Sequence, residues 1–159
     1  MTRDECRKET ERHIAKVRGY LSKAISLLLW SASKHDETKL ENPELGIFTE
    51  FTPKLAHSTY GSEEYKSFLT EMKVALDHHY KNNRHHPEYF SNGIKGMTLI
   101  DLVEMICDWK ASTLRHEDGD IMKSIEMNQQ RFGYSDELKQ IFINTVKQME
   151  MNNDDKTTV

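Results

Sequence analysis

This sequence predicts an all-α fold, a compact single-domain bundle of about six helices, and three observations predict it. Apolar residues recur at three- and four-residue steps along most of the chain. Helix-capping residues stand where those runs begin. No stretch carries a strand pattern, and no internal repeat or domain linker interrupts the sequence. The 159 residues suit one domain, placed at 1–150, with a polar tail at 151–159 expected to be disordered.

The first helix is expected over about 4–33, where Ile14, Val17, Tyr20, Leu21, Ala24, Leu27 and Leu28 keep a helical period. His35-Asp36 opens a short second helix that ends near Asn42-Pro43, because proline disfavours helix in the residue before it. Residues 43–62, with Pro43, Gly46, Pro53 and Gly61, read as a long connection of the kind that often forms a lid or binding loop. Ser62-Glu63-Glu64 starts the next helix, and Phe68, Met72, Ala75, Leu76 and His79 share its apolar face. Asn82-Asn83 and Pro87 stop it. Thr98 with Asp101 resembles a capping box and opens a helix from Leu99 to about Leu114. Asp118-Gly119-Asp120 reads as a turn before a fifth helix that ends at Phe132-Gly133-Tyr134. Ser135-Asp136-Glu137 starts the last helix, through Ile141, Ile143 and Val146.

Composition narrows the function classes. Hydrophobic content of 36% and charged content of 30% fit a soluble chain. A net charge of −4 and a pI near 6.1 give no sign of general nucleic-acid binding, although a nucleotide needs only a few local cations. No apolar run approaches the ~20 residues of a membrane span. The charged start, MTRDECRKETERH, lacks a signal core. Cys6 and Cys107 are therefore expected to be reduced thiols in a cytoplasmic protein, with Cys107 in the core.

The chemistry-bearing residues are histidines and carboxylates. His35-Asp36 is followed one turn later by Lys39, and all three can share a helix face. Imidazole and carboxylate together suit a divalent transition metal. Lys39 either neutralises Asp36 or meets a phosphate oxygen beside the metal. The stretch D-H-H-Y-K-N-N-R-H-H-P-E places His78, His79, His85 and His86 around a helix end. His79 follows the buried stripe and is preferred to His78; the sequence does not choose between His85 and His86. His13, near the Ile14 and Val17 face, reads by itself as a satisfied or exposed histidine. Asp101, Glu104 and Asp108 line one face of an otherwise apolar helix. Buried carboxylates there need a cation or a full set of hydrogen bonds; a metal would supply the cation, so Asp108 is read as a ligand and Glu104 as a supporting group or base.

The order His13, His35-Asp36 with Lys39, His79, His85-His86, then Asp108 resembles the HD superfamily of metal-dependent phosphohydrolases. H-D-E-T-K is similar to the H-D-x-x-K of the HD-GYP phosphodiesterases. H-H-P-E resembles their H-H-E, but Pro87 intervenes and the Gly-Tyr-Pro signature is absent, which argues against cyclic di-GMP. H-H-Y-x-N-x-x-H-H-P-E-Y with E-M-I-C-D-W-K resembles more closely a small family of uncharacterised phage and bacterial proteins within that superfamily, over residues 13 to 115. The resemblance implies a site in the middle of a helical bundle. His13, His35, Asp36 and Asp108 would hold a first metal, and the extra histidines a second, with Asp36 bridging. The ions would be Mn, Fe, Co or Zn, with Mg as a further option.

A metal at such a site acidifies bound water and polarises a phosphoryl oxygen. Lys39, Arg84, Lys110 and Arg115 are the candidates to stabilise phosphate charge, and Glu104 or Glu88 to orient water. Phe48, Phe51 and Tyr60 of the connection are candidates to stack on a base or to pack as core. The expected activity is hydrolysis of a nucleotide or other small phosphoester in the cytoplasm (of the host, for a phage protein). Partners beyond that substrate are not indicated, and the oligomeric state is open. One alternative is an HD-type diiron oxygenase. Another is a non-catalytic binding module with a structural metal, disfavoured because neither cysteine sits in a ligand motif.

Overall fold

A computed structural model describes residues 1–59, 62–115 and 119–154. Tyr60, Gly61 and Asp118, and the tail from residue 155, lie outside the described residues. All regular structure among the described residues is helical. Its contacts divide the chain into two units, Met1–His35 and Asp36–Val159.

The first unit is a single helix, α1 (Arg3–Lys34). It starts where a capping box satisfies two backbone donors: Glu5 N–H donates to Thr2 Oγ1 at 3.2 Å, and Thr2 N–H donates to Glu5 Oε2 at 2.7 Å. Lys8 pairs with Asp4 at 2.9 Å and Arg12 with Glu9 at 2.6 Å on exposed surface, where such pairs contribute roughly 0.3–0.5 kcal/mol each.

The second unit opens with a 3-10 turn, Glu37–Leu40, in place of the short α-helix expected there. It continues with α2 (Glu44–His57), α3 (Glu63–Glu71) and α4 (Lys73–Asn82). Two further 3-10 turns, Pro87–Tyr89 and Gly93–Gly96, lead to α5 (Leu99–Thr113), α6 (Ile121–Phe132) and α7 (Asp136–Asp154).

Two expectations are corrected. The long connection at 43–62 contains α2, because Glu44, Phe48, Phe51 and Leu55 keep a helical period across Gly46 and Pro53. Pro53 forfeits a backbone hydrogen bond, but Phe51 is buried and meets Phe68 edge-on at 6.1 Å. The helix expected to run unbroken after Ser62 divides at Met72, whose backbone (φ −78°, ψ 0°) leaves the helical region while its side chain is buried.

The core lies between α5, α6 and α7. Met105, Ile106 and Trp109 pack with Ile121, Ile125, Tyr134, Phe142 and Val146. Met105 and Trp109, four residues apart, take the inner face of α5. Cys107 between them is consequently exposed, not in the core as the sequence suggested. Gly133 closes α6 in the left-handed conformation (φ 64°), where a side chain would be strained.

Tyr134 then turns inward, and its hydroxyl donates to the Ile125 carbonyl at 2.5 Å. Tyr134→Phe is expected to cost about 1 kcal/mol and to leave metal binding unchanged, as urea denaturation and metal titration would register. None of the helices among the described residues is long and apolar enough to cross a membrane.

Candidate metal centre

The second unit gathers a carboxylate and three imidazoles from separate segments. Asp36 is the N-cap of the first 3-10 turn and has a positive φ of 58°. A non-glycine residue in that region costs on the order of 1 kcal/mol, and aspartate is among the residues that tolerate it. His79 comes from the last turn of α4, and His85 and His86 from the segment that follows. One ligand atom from each of Asp36, His79, His85 and His86 fits within a group whose members all lie within 4.8 Å of one another.

The close distances involve the outer ring nitrogens. Asp36 Oδ1 is 3.3 Å from His79 Nε2 and 3.4 Å from His85 Nε2. His79 Nε2 is 2.9 Å from His86 Nε2. Ligands about 2.0–2.2 Å from one ion stand roughly 3.0–3.4 Å apart, so this donor set fits a metal. Asp108, on α5, brings a carboxylate within 4.8 Å of Asp36.

The inner nitrogens are anchored by carboxylates. Glu44, at the start of α2 and fully buried, reaches His79 Nδ1 at 2.9 Å and His78 Nδ1 at 2.7 Å. Glu104 reaches His85 Nδ1 at 3.0 Å. An Nδ1–H given to a carboxylate leaves the Nε2 lone pair facing the cluster, the tautomer a metal requires. Asn83 adds a second tie, donating to Thr38 Oγ1 at 2.8 Å and to the His79 carbonyl at 2.8 Å. Phe48 closes one side, edge-on to the His79 ring at 6.3 Å.

Burial, reinforced by the neighbouring His85 and His79, pushes His86 down to about 3. Burial and Lys39 also lower His79. Burial opposes protonation of His85, but hydrogen bonds donated to Asp36 and Glu104 hold it above its ordinary value.

A pH prediction follows for the metal-free chain. Unfolded, His86 takes up a proton near pH 6.5; folded, it does so only near 3. Its contribution is therefore complete above 6.5 and is lost as pH falls through that window. Between pH 6.5 and 5 the loss is on the order of 1–2 kcal/mol. Chemical denaturation of wild type and His86→Gln in chelator should show the variant losing less.

The predicted cations divide. Lys39 borders the cluster, its Nζ 2.5 Å from Asp36 Oδ2 and 5.7 Å from the Phe48 ring. Arg84 does not face it: its fork is filled by Asp101, at 3.0 and 3.1 Å, and its plane lies over Tyr89 and Phe90. Asp101 is held below its usual range by Arg84 and Thr98 despite burial, so Arg84 ties the His85-His86 segment to α5. Lys110 pairs with Glu150 of α7, and Arg115 is exposed in the turn after α5. Glu88, considered for orienting water, pairs with Arg131 of α6 at 2.6 Å.

His13 and His35 cannot share one ion within one chain. Both sit on the first unit, His13 exposed along α1 and His35 as its C-cap. Twenty-two residues of continuous helix separate them by about 33 Å. The four-ligand set expected from His13, His35, Asp36 and Asp108 therefore does not form from a single chain. Sequence reasoning missed Glu44, which reads as an ordinary first-turn acid; its signal was its place on the Phe48, Phe51 and Leu55 face.

No curated protein and no solved structure matches the chain. The sequence does match a family of unknown function (DUF5662) over residues 2–156. On that match, which covers nearly its whole length, the chain belongs to the DUF5662 family.

Proposed function

We propose that this protein is a metal-dependent phosphohydrolase acting on a nucleotide or another small phosphoester. The observation that carries the reading is the cluster of Asp36 with His79, His85 and His86, in which the Nε2 atoms of His79 and His85 lie 3.3 and 3.4 Å from Asp36 and two inner nitrogens are anchored by Glu44 and Glu104. Asp36, His79, His85 and His86 would hold an ion, with Asp108 beside Asp36. A bound divalent ion supplies Lewis acidity and an acidified water at neutral pH.

The chain's own residues set the rest. Glu44 and Glu104 orient His79 and His85 with Nε2 toward the cluster. Glu104 thus serves as a positioning residue through His85. Lys39, paired with Asp36 at the rim, is the cation placed to take a phosphate oxygen. Phe48 narrows the water's access on the α2 side.

The test is a phosphate-release screen over nucleotides and simple phosphoesters with Mn²⁺, Co²⁺ or Mg²⁺, with Lys39→Ala in parallel. Turnover that requires metal and falls at least tenfold in Lys39→Ala is the expected result. Two bound irons with no phosphate release on any substrate would replace the hydrolase with an oxygenase.

A further inference from the structure

We infer, on the reading of Asp36, His79, His85 and His86 as a metal centre, that Tyr80 of α4 and Arg131 of α6 are positioning residues for His86. His79 and His85 each point Nδ1 at a carboxylate, Glu44 and Glu104. His86 is placed by rings. Its centroid lies 4.7 Å from that of His79, 4.9 Å from Tyr80 and 4.1 Å from His85. His79 and Tyr80 are consecutive on α4, so their side chains leave the helix about 100° apart. The His86 ring fits in the angle between them, tilted 57° to the plane of Tyr80. Ring pairs at ~4.5–7 Å favour particular tilts, so Tyr80 sets the rotation of the imidazole and with it the direction of Nε2.

One guanidinium holds both this ring and the turn that carries His86. Arg131 Nη2 donates to Glu88 Oε1 at 2.6 Å and to Tyr80 Oη at 3.4 Å, and the guanidinium carbon stands 5.9 Å from the Tyr80 ring centroid. Glu88 belongs to the 3-10 turn Pro87–Tyr89, whose Tyr89 N–H donates to the His86 carbonyl at 3.0 Å. Arg84, just before His85, is held by Asp101 of α5. The ligand segment is therefore pinned to α5 at one end and to α6 at the other, two helices that share the main core.

Stability and metal affinity should separate at Arg131. The Arg131 and Glu88 side chains are 48% and 31% exposed, and ion pairs so open to water add little to folding. A planar donor that reaches both a ligand-bearing turn and the ring beside the ligand still restricts where that ligand points.

The experiment is Co²⁺ titration of the metal-free full chain, reading affinity and the visible absorption band, which follows ligand geometry, with urea midpoints measured alongside. Groups that hold a ligating imidazole typically matter about 10–100-fold in metal affinity. Tyr80→Leu should therefore weaken Co²⁺ about tenfold, and Arg131→Gln, one contact further out, about three- to fivefold. Both should change the band, and Arg131→Gln should keep the wild-type urea midpoint. Tyr80→Phe retains the ring and should bind within about twofold of wild type. Wild-type affinity and band in either Tyr80→Leu or Arg131→Gln would overturn the inference and leave the metal centre standing. So would a loss in Arg131→Gln that comes with a lower midpoint and an unchanged band, or a Tyr80→Phe loss equal to that of Tyr80→Leu. If Tyr80→Leu fails to fold, Arg131→Gln decides alone. A wild-type chain that binds no Co²⁺ would overturn the metal centre itself, and this inference with it.

Discussion

Asp36→Asn is expected to abolish metal binding, and phosphate release with it, while helix content stays at the wild-type level. The substitution keeps the size of the side chain and removes its charge. Asp36 Oδ1 stands 3.3 Å and 3.4 Å from the Nε2 atoms of His79 and His85, so it is the anionic member of the donor set. Neutral imidazoles alone hold a hard divalent ion less well, and Asn offers only a carbonyl dipole. The loss should reach at least 100-fold in affinity by metal titration. Asp36 precedes a 3-10 turn and belongs to no α-helix, so circular dichroism should not change. Full affinity in a folded Asp36→Asn protein would mean the ion sits elsewhere.

Glu44→Ala should have the next largest effect, and on two properties at once. Glu44 is fully buried, and its two oxygens hold His78 and His79. Removing one partner from a buried charged network typically costs about 3–5 kcal/mol. Losing the carboxylate that orients a ligating imidazole typically costs about 10–100-fold in metal affinity. His78→Gln separates the two imidazoles that Glu44 holds. The His78 side chain is 39% exposed, and its replacement should leave metal affinity within about threefold. If His78→Gln matched Glu44→Ala in lost affinity, the assignment of His79 over His78 as the inward ligand would be wrong.

The parts of the fold legible in the sequence were those where caps and apolar period agree. Thr98 with Asp101 marks the start of α5, and Gly133 marks the end of α6 within a residue. The failure at α2 has a physical cause. Gly46 and Pro53 are strong local breakers, but burial of Phe51 and Glu44 fixes the segment as helix from outside its own sequence. The break at Met72 carries no breaker at all, only a side chain drawn into the interior.

The site was legible in residue type and less so in pairing. Histidines flanking a helix end, beside a carboxylate turn, pointed to a metal. What each cation does depends on its neighbours in space. Arg84 looks like a phosphate ligand until Asp101, seventeen residues away, fills its fork. Glu44 looks like a capping acid until α2 folds it against a histidine pair thirty-four residues on. His13 fits the motif order, but the continuity of α1 separates it from His35 by several turns.

Elemental analysis of the purified, tag-free protein, beside Asp36→Asn purified in the same way, tests the metal centre most directly. The account predicts one to two divalent transition-metal ions per wild-type chain and none above background in the variant. A wild-type protein that takes up no metal under any loading condition would contradict it and leave a histidine-rich helical protein without a metal centre.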